Sequence, residues 1–397
     1  MNPRLVIPFH KIDVGEEEAL AVADAVRSGW LTMGPKTIEF EQKFANYIGA
    51  RHAVAVSSCT AGLHLALEAV GIQPGDEVIV PTTTFTATAE VVTYLGAVPV
   101  LADINAATLN LDPEDARRRI TTRTKAIMPV HYGGQPCDME EIHAIAQRHH
   151  LHVIEDAAHA LPASYRGTRV GAISETTVFS FYATKTLTTG EGGMVVTNNE
   201  AHANRMRLMR LHGIGRDAWK RYTAEGSWYY EVLEAGYKYN MTDVQAAMGL
   251  VQLEKADRMS AARRGIALKY DQAFAQIEQL EIPTVMNDRE SSWHLYPLRI
   301  RPECLRITRD ELIVALKEAG VGTSVHFIPL HLHPYYARNF GYRPGDLPRA
   351  AMEYNRYLSL PIFPTMSDSE IQYVIEKVQE IVSSSTRSRV LAEATTD

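Results

Sequence analysis

Residues 177–197 read TVFSFYATKTLTTGEGGMVVT: an apolar strand, a polar turn carrying one lysine, a glycine cluster and a second apolar strand. Lys185 stands among Thr184, Thr186, Thr188 and Thr189, with no carboxylate beside it in sequence. Glycines 190, 192 and 193 have no side chain and accept positive φ, so the backbone there can come close to a bulky neighbour. A lysine held in such a pocket becomes a neutral nucleophile, because desolvation disfavours its charge. Taken alone, the stretch is equally well a hairpin with a surface lysine. The rest of the chain has to decide.

Upstream, short Val/Ile-rich runs at 52–56, 77–81, 98–103, 125–130 and 151–155 precede 177–182 and 193–197. Helical patterns at 61–70, 87–95, 113–120 and 139–149 separate the first five. Near-continuous apolar strands with helical crossovers predict an α/β fold whose sheet is mostly parallel, seven-stranded and covered on both faces. Ligands of such sheets collect beyond the carboxyl ends of the strands. There the first strand is followed by SSCTAG (57–62), hydroxyl residues opening a helix, a place suited to phosphate or simply a helix cap. The second leads into PTTTFTATA, where Phe85 is the one large ring. The fifth ends in Glu155-Asp156, and a carboxylate closing an apolar strand calls for a cationic partner. The sixth carries Ser180 and leads to Lys185.

Further outward, helices are predicted over 16–27 and from Pro35 to 48, separated by SGWLTMGP. Residues 211–236 lack periodicity and read as a long functional loop. Thr242 and Gln245 form a capping-box pattern, so a long helix starts at Asp243, with an apolar stripe of Val244, Ala247, Met248, Val251 and Met259. Asn240 lies just ahead of it, its amide free to meet an anion. From 282 the texture becomes α+β: strands at 293–300 and 321–329, and helices at 308–319 and 368–382, with Thr308 and Ser367 as caps. Two domains are expected, 1–255 and 256–383, with a polar, disordered tail at 384–397.

Composition excludes several classes. With 46% apolar and 22% charged residues the chain is of ordinary globular type. A net charge of −7 argues against a nucleic-acid partner. No run is long and apolar enough for a membrane span, and the start, MNPRLVIPFHKIDVGEEE, has no signal-peptide core. Cys59, Cys137 and Cys304 are scattered and odd in number, which suits reduced thiols and a cytoplasmic location. The paired histidines at 149–150 and 331/333 lack metal-ligand spacing, so no metal site is expected.

An anion cradle (Thr60, Ala61, Ser180), a stacking ring (Phe85), a carboxylate (Asp156) and a pocket lysine (Lys185) are the four groups that pyridoxal 5′-phosphate demands. The segments SFYATKTLTTGEGGMVVT, IEDAAHA, VSSCTAGLHLAL and GYKYNMTDVQAAM resemble the signatures of the DegT/DnrJ/StrS-type sugar aminotransferases, fold type I pyridoxal-phosphate enzymes, from about residue 8 to about 382. Within that family, SGWLTMGPK, PVHYGG, WHLYPLRI and GTSVHF are most similar to the branch of UDP-4-amino-4-deoxy-L-arabinose aminotransferases.

The resemblance implies a large cofactor-binding domain with a smaller C-terminal α+β domain. It implies that Lys185 holds the cofactor and shuttles the proton, that Asp156 pairs with the ring nitrogen and that Phe85 stacks on the ring. His159 would lie near ring and hydroxyl. Thr60, Ala61 and Ser180 would hold the phosphate, with Asn240 coming from the partner subunit of a homodimer with shared active sites. Trp30, Thr32 and His326 would line the sugar-nucleotide entrance.

The implied reaction is ping-pong transfer of the amino group of L-glutamate to a nucleotide-linked keto-sugar, at carbon 4 of a UDP-sugar, for surface polysaccharide or glycoconjugate biosynthesis. GDP-perosamine-, bacillosamine- and carbon-3-type enzymes stand beside it as alternatives. A sugar dehydratase of this fold would carry histidine at 185. A non-catalytic protein would have no need of every cofactor group.

Overall fold

The computed structural model describes residues 5–215 and 229–387. In chain order the N-terminal part comprises α1 (Glu16–Arg27), α2 (Pro35–Ile48), β1 (His52–Val56), α3 (Cys59–Ala69), β2 (Glu77–Pro81), α4 (Ala87–Tyr94), β3 (Val98–Ala102), α5 (Pro113–Arg118), β4 (Thr124–Ile127), α6 (Met139–His149) and β5 (His152–Asp156). It continues with β6 (Ser164–Tyr165), β7 (Thr168–Arg169), β8 (Thr176–Ser180), β9 (Gly193–Thr197) and α7 (Glu200–Met209). After α8 (Asp243–Phe274) come β10 (Leu280–Glu281), β11 (Arg289–Glu290), β12 (Tyr296–Ile300), α9 (Arg309–Glu318), α10 (Pro334–Phe340), α11 (Pro348–Tyr354), β13 (Tyr357–Leu360) and α12 (Asp368–Ser384).

Seven strands form the main sheet in the order β1-β9-β8-β5-β4-β2-β3. Pairings from β8 through β3 are parallel, and only β9 runs against its neighbours β1 and β8. Every residue of β2, β8 and β9 is buried, as a sheet covered on both faces requires. One apolar cluster packs α3, α4 and α7 on the sheet, and another, centred on Phe40, Phe44, Phe179 and Phe181, packs α2 and α8. A separate core runs from Ile266 on α8 through Val382 on α12, around β10-β12-β13, and takes in Ile7 from the chain start.

Local signals set the helix starts. Reciprocal Thr242–Gln245, Thr308–Glu311 and Ser367–Glu370 boxes open α8, α9 and α12, satisfying N–H groups that have no intrahelical acceptor.

Two expectations are corrected. Residues 321–329 form no strand: their backbone makes isolated bridges to Ile7 and to Ser359, two different segments, so no continuous ladder develops. On α8 the buried face is Ala246, Ala247, Leu250, Leu253, Ala256 and Met259, whereas Val244, Met248 and Val251 are half-buried. That face is set by α1 and α2, which cross the first half of the helix, while Ile266, Ala267, Tyr270 and Phe274 serve the second core. The helices α7, α10 and α11 and the small sheet β11-β6-β7 lie in stretches the sequence leaves unassigned. Of the loop expected at 211–236, residues 216–228 lie outside the described residues, as do 388–397 of the tail, while Thr386 pairs with Leu305.

Candidate active site

Because β1, β2, β5 and β8 run the same way, their carboxyl ends share one edge, where Ser57–Thr60, Thr82–Phe85, Asp156 and Ser180 emerge. β5 and β8 are direct neighbours, with Asp156 opposite Val178, so the carboxylate strand and the lysine strand lie side by side. The turn after β8 folds back on itself: the Lys185 amide donates to Tyr182 O at 2.9 Å and the Thr189 amide to Phe181 O at 3.0 Å. Gln252 of α8 accepts from the Thr188 amide at 3.3 Å. A Cβ on Gly193 would lie 2.7 Å from the Ser58 carbonyl carbon and 2.8 Å from the Cys59 nitrogen. The glycine therefore lets the start of α3 close onto β9 beside the lysine turn.

Asp156 is 5% exposed. Thr88 Oγ1 donates to its Oδ2 at 2.8 Å and the Ala158 amide to its Oδ1 at 3.1 Å, and Thr84 and Thr88 share a further hydroxyl contact at 2.8 Å. Burial pushes the carboxyl above its ordinary range, against the pull of these donors and of Lys185. Among the described residues no cationic side chain forms an ion pair with it. Lys185 is half-buried, and burial lowers its amine from 10.5 to about 8; Cys59 and Asp156 oppose the drop and Arg263 adds to it.

Four imidazoles surround this pair. His159 accepts from the Gly133 amide at Nδ1, at 3.3 Å, so its proton sits on Nε2, and burial holds it neutral. The His294 ring lies 4.3 Å from that of His159, and its Nδ1 is buried without a partner. His326 shares a 3.0 Å hydrogen bond from Nδ1 with Ser359, stacks on Phe9 at 5.4 Å and is lowered to about 4 by burial and the charge of Lys185. His10 is likewise lowered to about 4, by burial, Arg263 and Lys185. Arg263 is itself buried, and its guanidinium donates to the carbonyls of Ile362 (2.6 Å), Trp293 and His294 (both 3.4 Å).

The Cys59 and Thr60 amides precede the first bond of α3, from Gly62 N to Ser58 O, while the Ala61 amide donates to Ser58 Oγ at 3.0 Å. Phe85 is 60% exposed and tilts toward Phe327, 6.0 Å away. Asn240 bridges Val56 of its own chain, and its buried Oδ1 has no partner. One edge thus gathers Thr60, Ala61, Phe85, Asp156, Ser180, Lys185 and Asn240, with His159 and His326 beside it. Trp30 and Thr32 lie in the turn before α2 at the start of α8, where Asp243 N donates to Thr32 O at 3.1 Å.

Sequence reasoning missed Thr88, His10, His294 and Arg263. Thr88 was signalled only by the threonine run after β2, and His294 sits in a segment read as a strand. His10 and Arg263 carry no local signal at all. Among the described residues no group of three His, Cys, Asp or Glu is placed to hold a metal ion, and no helix is long and apolar enough to cross a membrane.

Residues 12–379 match the DegT/DnrJ/EryC1/StrS aminotransferase family. The chain is 53% identical over 377 residues to "Uncharacterized protein MJ1066" of Methanocaldococcus jannaschii, covering 95% of this chain and 98% of that one. It is 52% identical over 377 residues to the spore coat polysaccharide biosynthesis protein SpsC of Bacillus subtilis, covering 95% and 97%. Among solved structures it is similar to the PLP form of a sugar aminotransferase described as putative, Spr1654 of Streptococcus pneumoniae, with TM-score 0.90, 34% identity and coverage of 96% and 99%.

Proposed function

The chain belongs to the DegT/DnrJ/EryC1/StrS aminotransferase family, a family of pyridoxal 5′-phosphate enzymes, and on that footing we propose that it moves the amino group of L-glutamate onto a nucleotide-linked keto-sugar. We place the new amine at carbon 4 of a UDP-sugar, in surface polysaccharide or glycoconjugate synthesis; the likeness to SpsC supports the second part.

The observation that carries the reading is that Asp156 ends β5 beside β8, the strand that leads into the Lys185 turn: a buried carboxylate with no ion-pair partner among the described residues, within electrostatic reach of an amine lowered to about 8. These residues fit the cofactor. A pyridinium would give Asp156 its missing cation, the free amides opening α3 and the Ser180 hydroxyl suit a phosphate, and exposed Phe85 offers a ring face. When bound, pyridoxal 5′-phosphate supplies an aldehyde that takes up the amino group and a protonated ring nitrogen that draws off an electron pair.

The residues do the rest. Lys185 Nζ, neutral in an appreciable fraction near pH 7, takes a proton from the α-carbon of glutamate and returns one to the sugar carbon in the second half. Asp156 holds its position through Thr88 and Ala158. His159 presents Nε2–H as a neutral donor. Arg263, set among uncharged imidazoles, adds a positive charge that favours the carboxylates of glutamate and a diphosphate. The balance is glutamate plus keto-sugar giving 2-oxoglutarate plus amino-sugar.

A homodimer is part of the proposal. Exposed Leu20, Val26, Leu31 and Ile38 on α1, the following turn and α2 support it, together with half-buried Val244, Met248 and Val251.

L-Glutamate should shift the visible absorption of the holoenzyme. Screening UDP-, GDP- and dTDP-keto-sugars by mass spectrometry should then reveal an amino-sugar. If Lys185→Ala retained the absorption band and full turnover, the reading would be wrong.

A further inference from the structure

The turn between α1 and α2 is built in an unusual way. The N-cap of α2 is Gly34, which provides no side-chain hydrogen bond, although Ser, Thr, Asp or Asn would satisfy the free amides of the first turn. Those amides are served instead by a residue more than two hundred positions later. Asp243 Oδ1 accepts from Gly34 N (2.7 Å), Thr37 N (2.9 Å) and Thr37 Oγ1 (2.7 Å), and Oδ2 accepts from Lys36 N (3.0 Å). Asp243 is 2% exposed, opens α8, and returns its own amide to Thr32 O at 3.1 Å. The reason for glycine at 34 is steric. Its φ of −164° is open to any residue, but a Cβ there would lie 1.9 Å from Trp30 Nε1 and 2.3 Å from Trp30 Cδ1. The indole packs against Gly34, with Nε1 donating to Met33 O at 3.1 Å. The local cap is given up so that Trp30 can occupy its space, and Asp243 supplies the cap from α8.

Resting on the reading of Trp30 and Thr32 as the acceptor entrance, we propose that Asp243 is a positioning residue: through α2 and the turn 28–34 it presets Trp30 and Thr32 to receive a nucleotide-linked sugar. A buried carboxylate with four donors holds such a geometry far better than a flexible loop does.

The test uses the holoenzyme of wild type, Trp30→Ala, Gly34→Ala and Asp243→Asn. UDP-, GDP- and dTDP-glucose are titrated by calorimetry, and the donor half-reaction with L-glutamate is followed by absorbance. Each variant should weaken the nucleotide sugar that wild type binds by about tenfold or more, about 1.4 kcal/mol. In Gly34→Ala and Asp243→Asn the glutamate half-reaction should stay within about threefold of wild type, which a general loss of folding would not allow.

If Trp30→Ala binds like wild type, or wild type binds none of the three sugars, the entrance reading is wrong and the proposal falls with it. If Trp30→Ala is weakened but Asp243→Asn is not, the entrance stands and the positioning role is refuted. Should Asp243→Asn fail to fold, Thr37→Val takes its place, since it removes one donor to Asp243 and leaves Trp30 untouched: a weakened nucleotide sugar supports the positioning role and unchanged affinity refutes it.

Discussion

Replacing Lys185 with methionine should stabilise the cofactor-free protein while removing its activity. Burial lowers the amine from 10.5 to about 8, so the folded state holds the proton less well than the unfolded chain does. A base lowered in this way is a cost at every pH below the folded value, and the cost fades as pH rises toward the unfolded value. The full drop corresponds to about 3.4 kcal/mol, and because Lys185 keeps partial contact with solvent about 2 kcal/mol of it should remain. Methionine has similar length and no charge to desolvate, so Lys185→Met should gain about 2 kcal/mol near pH 7 and only a few tenths near pH 10.5. Urea denaturation of both cofactor-free proteins at the two pH values measures this directly. Equal stability near pH 7, or a gap that fails to shrink toward pH 10.5, would refute a desolvated lysine. It would also remove the argument that Nζ is neutral enough to move protons.

Three other outcomes follow from named contacts. Thr88→Val strips a donor from buried Asp156 and should cost the apo protein about 1.5–3 kcal/mol near pH 7, with Thr88→Ser close to neutral in a urea titration. Since the carboxyl is already raised, that deficit should shrink as pH falls through the raised value and the proton takes over. Asp156→Asn should weaken pyridoxal 5′-phosphate about 10- to 100-fold in an absorbance titration, the loss of one charge-assisted contact. Glu41→Gln leaves buried Arg210 without its carboxylate and should cost about 3–5 kcal/mol, read as a lowered urea midpoint at unchanged slope.

The strands at 52–56, 77–81 and 193–197 and the starts of α2, α8, α9 and α12 were legible residue by residue. Their causes are local: apolar runs with β-branched side chains, a proline at a first turn, and capping boxes closed within four residues. Lys185, Asp156, Phe85 and Ser180 were legible too, because in a parallel sheet the residue after each strand is forced to one edge. Residues 321–329 misled because their apolar alternation is real, yet their partners, Ile7 and Ser359, lie far away in the chain.

By itself, then, the sequence determined the sheet, the strand-end residues and the family. Tertiary structure alone decided that Thr88 steadies Asp156, that His10, His294 and Arg263 stand around Lys185, and that Asp243 caps a helix two hundred residues earlier. Hydrogen bonds and burial act over a few ångströms of space, whereas sequence patterns report only neighbours within a few positions of the chain.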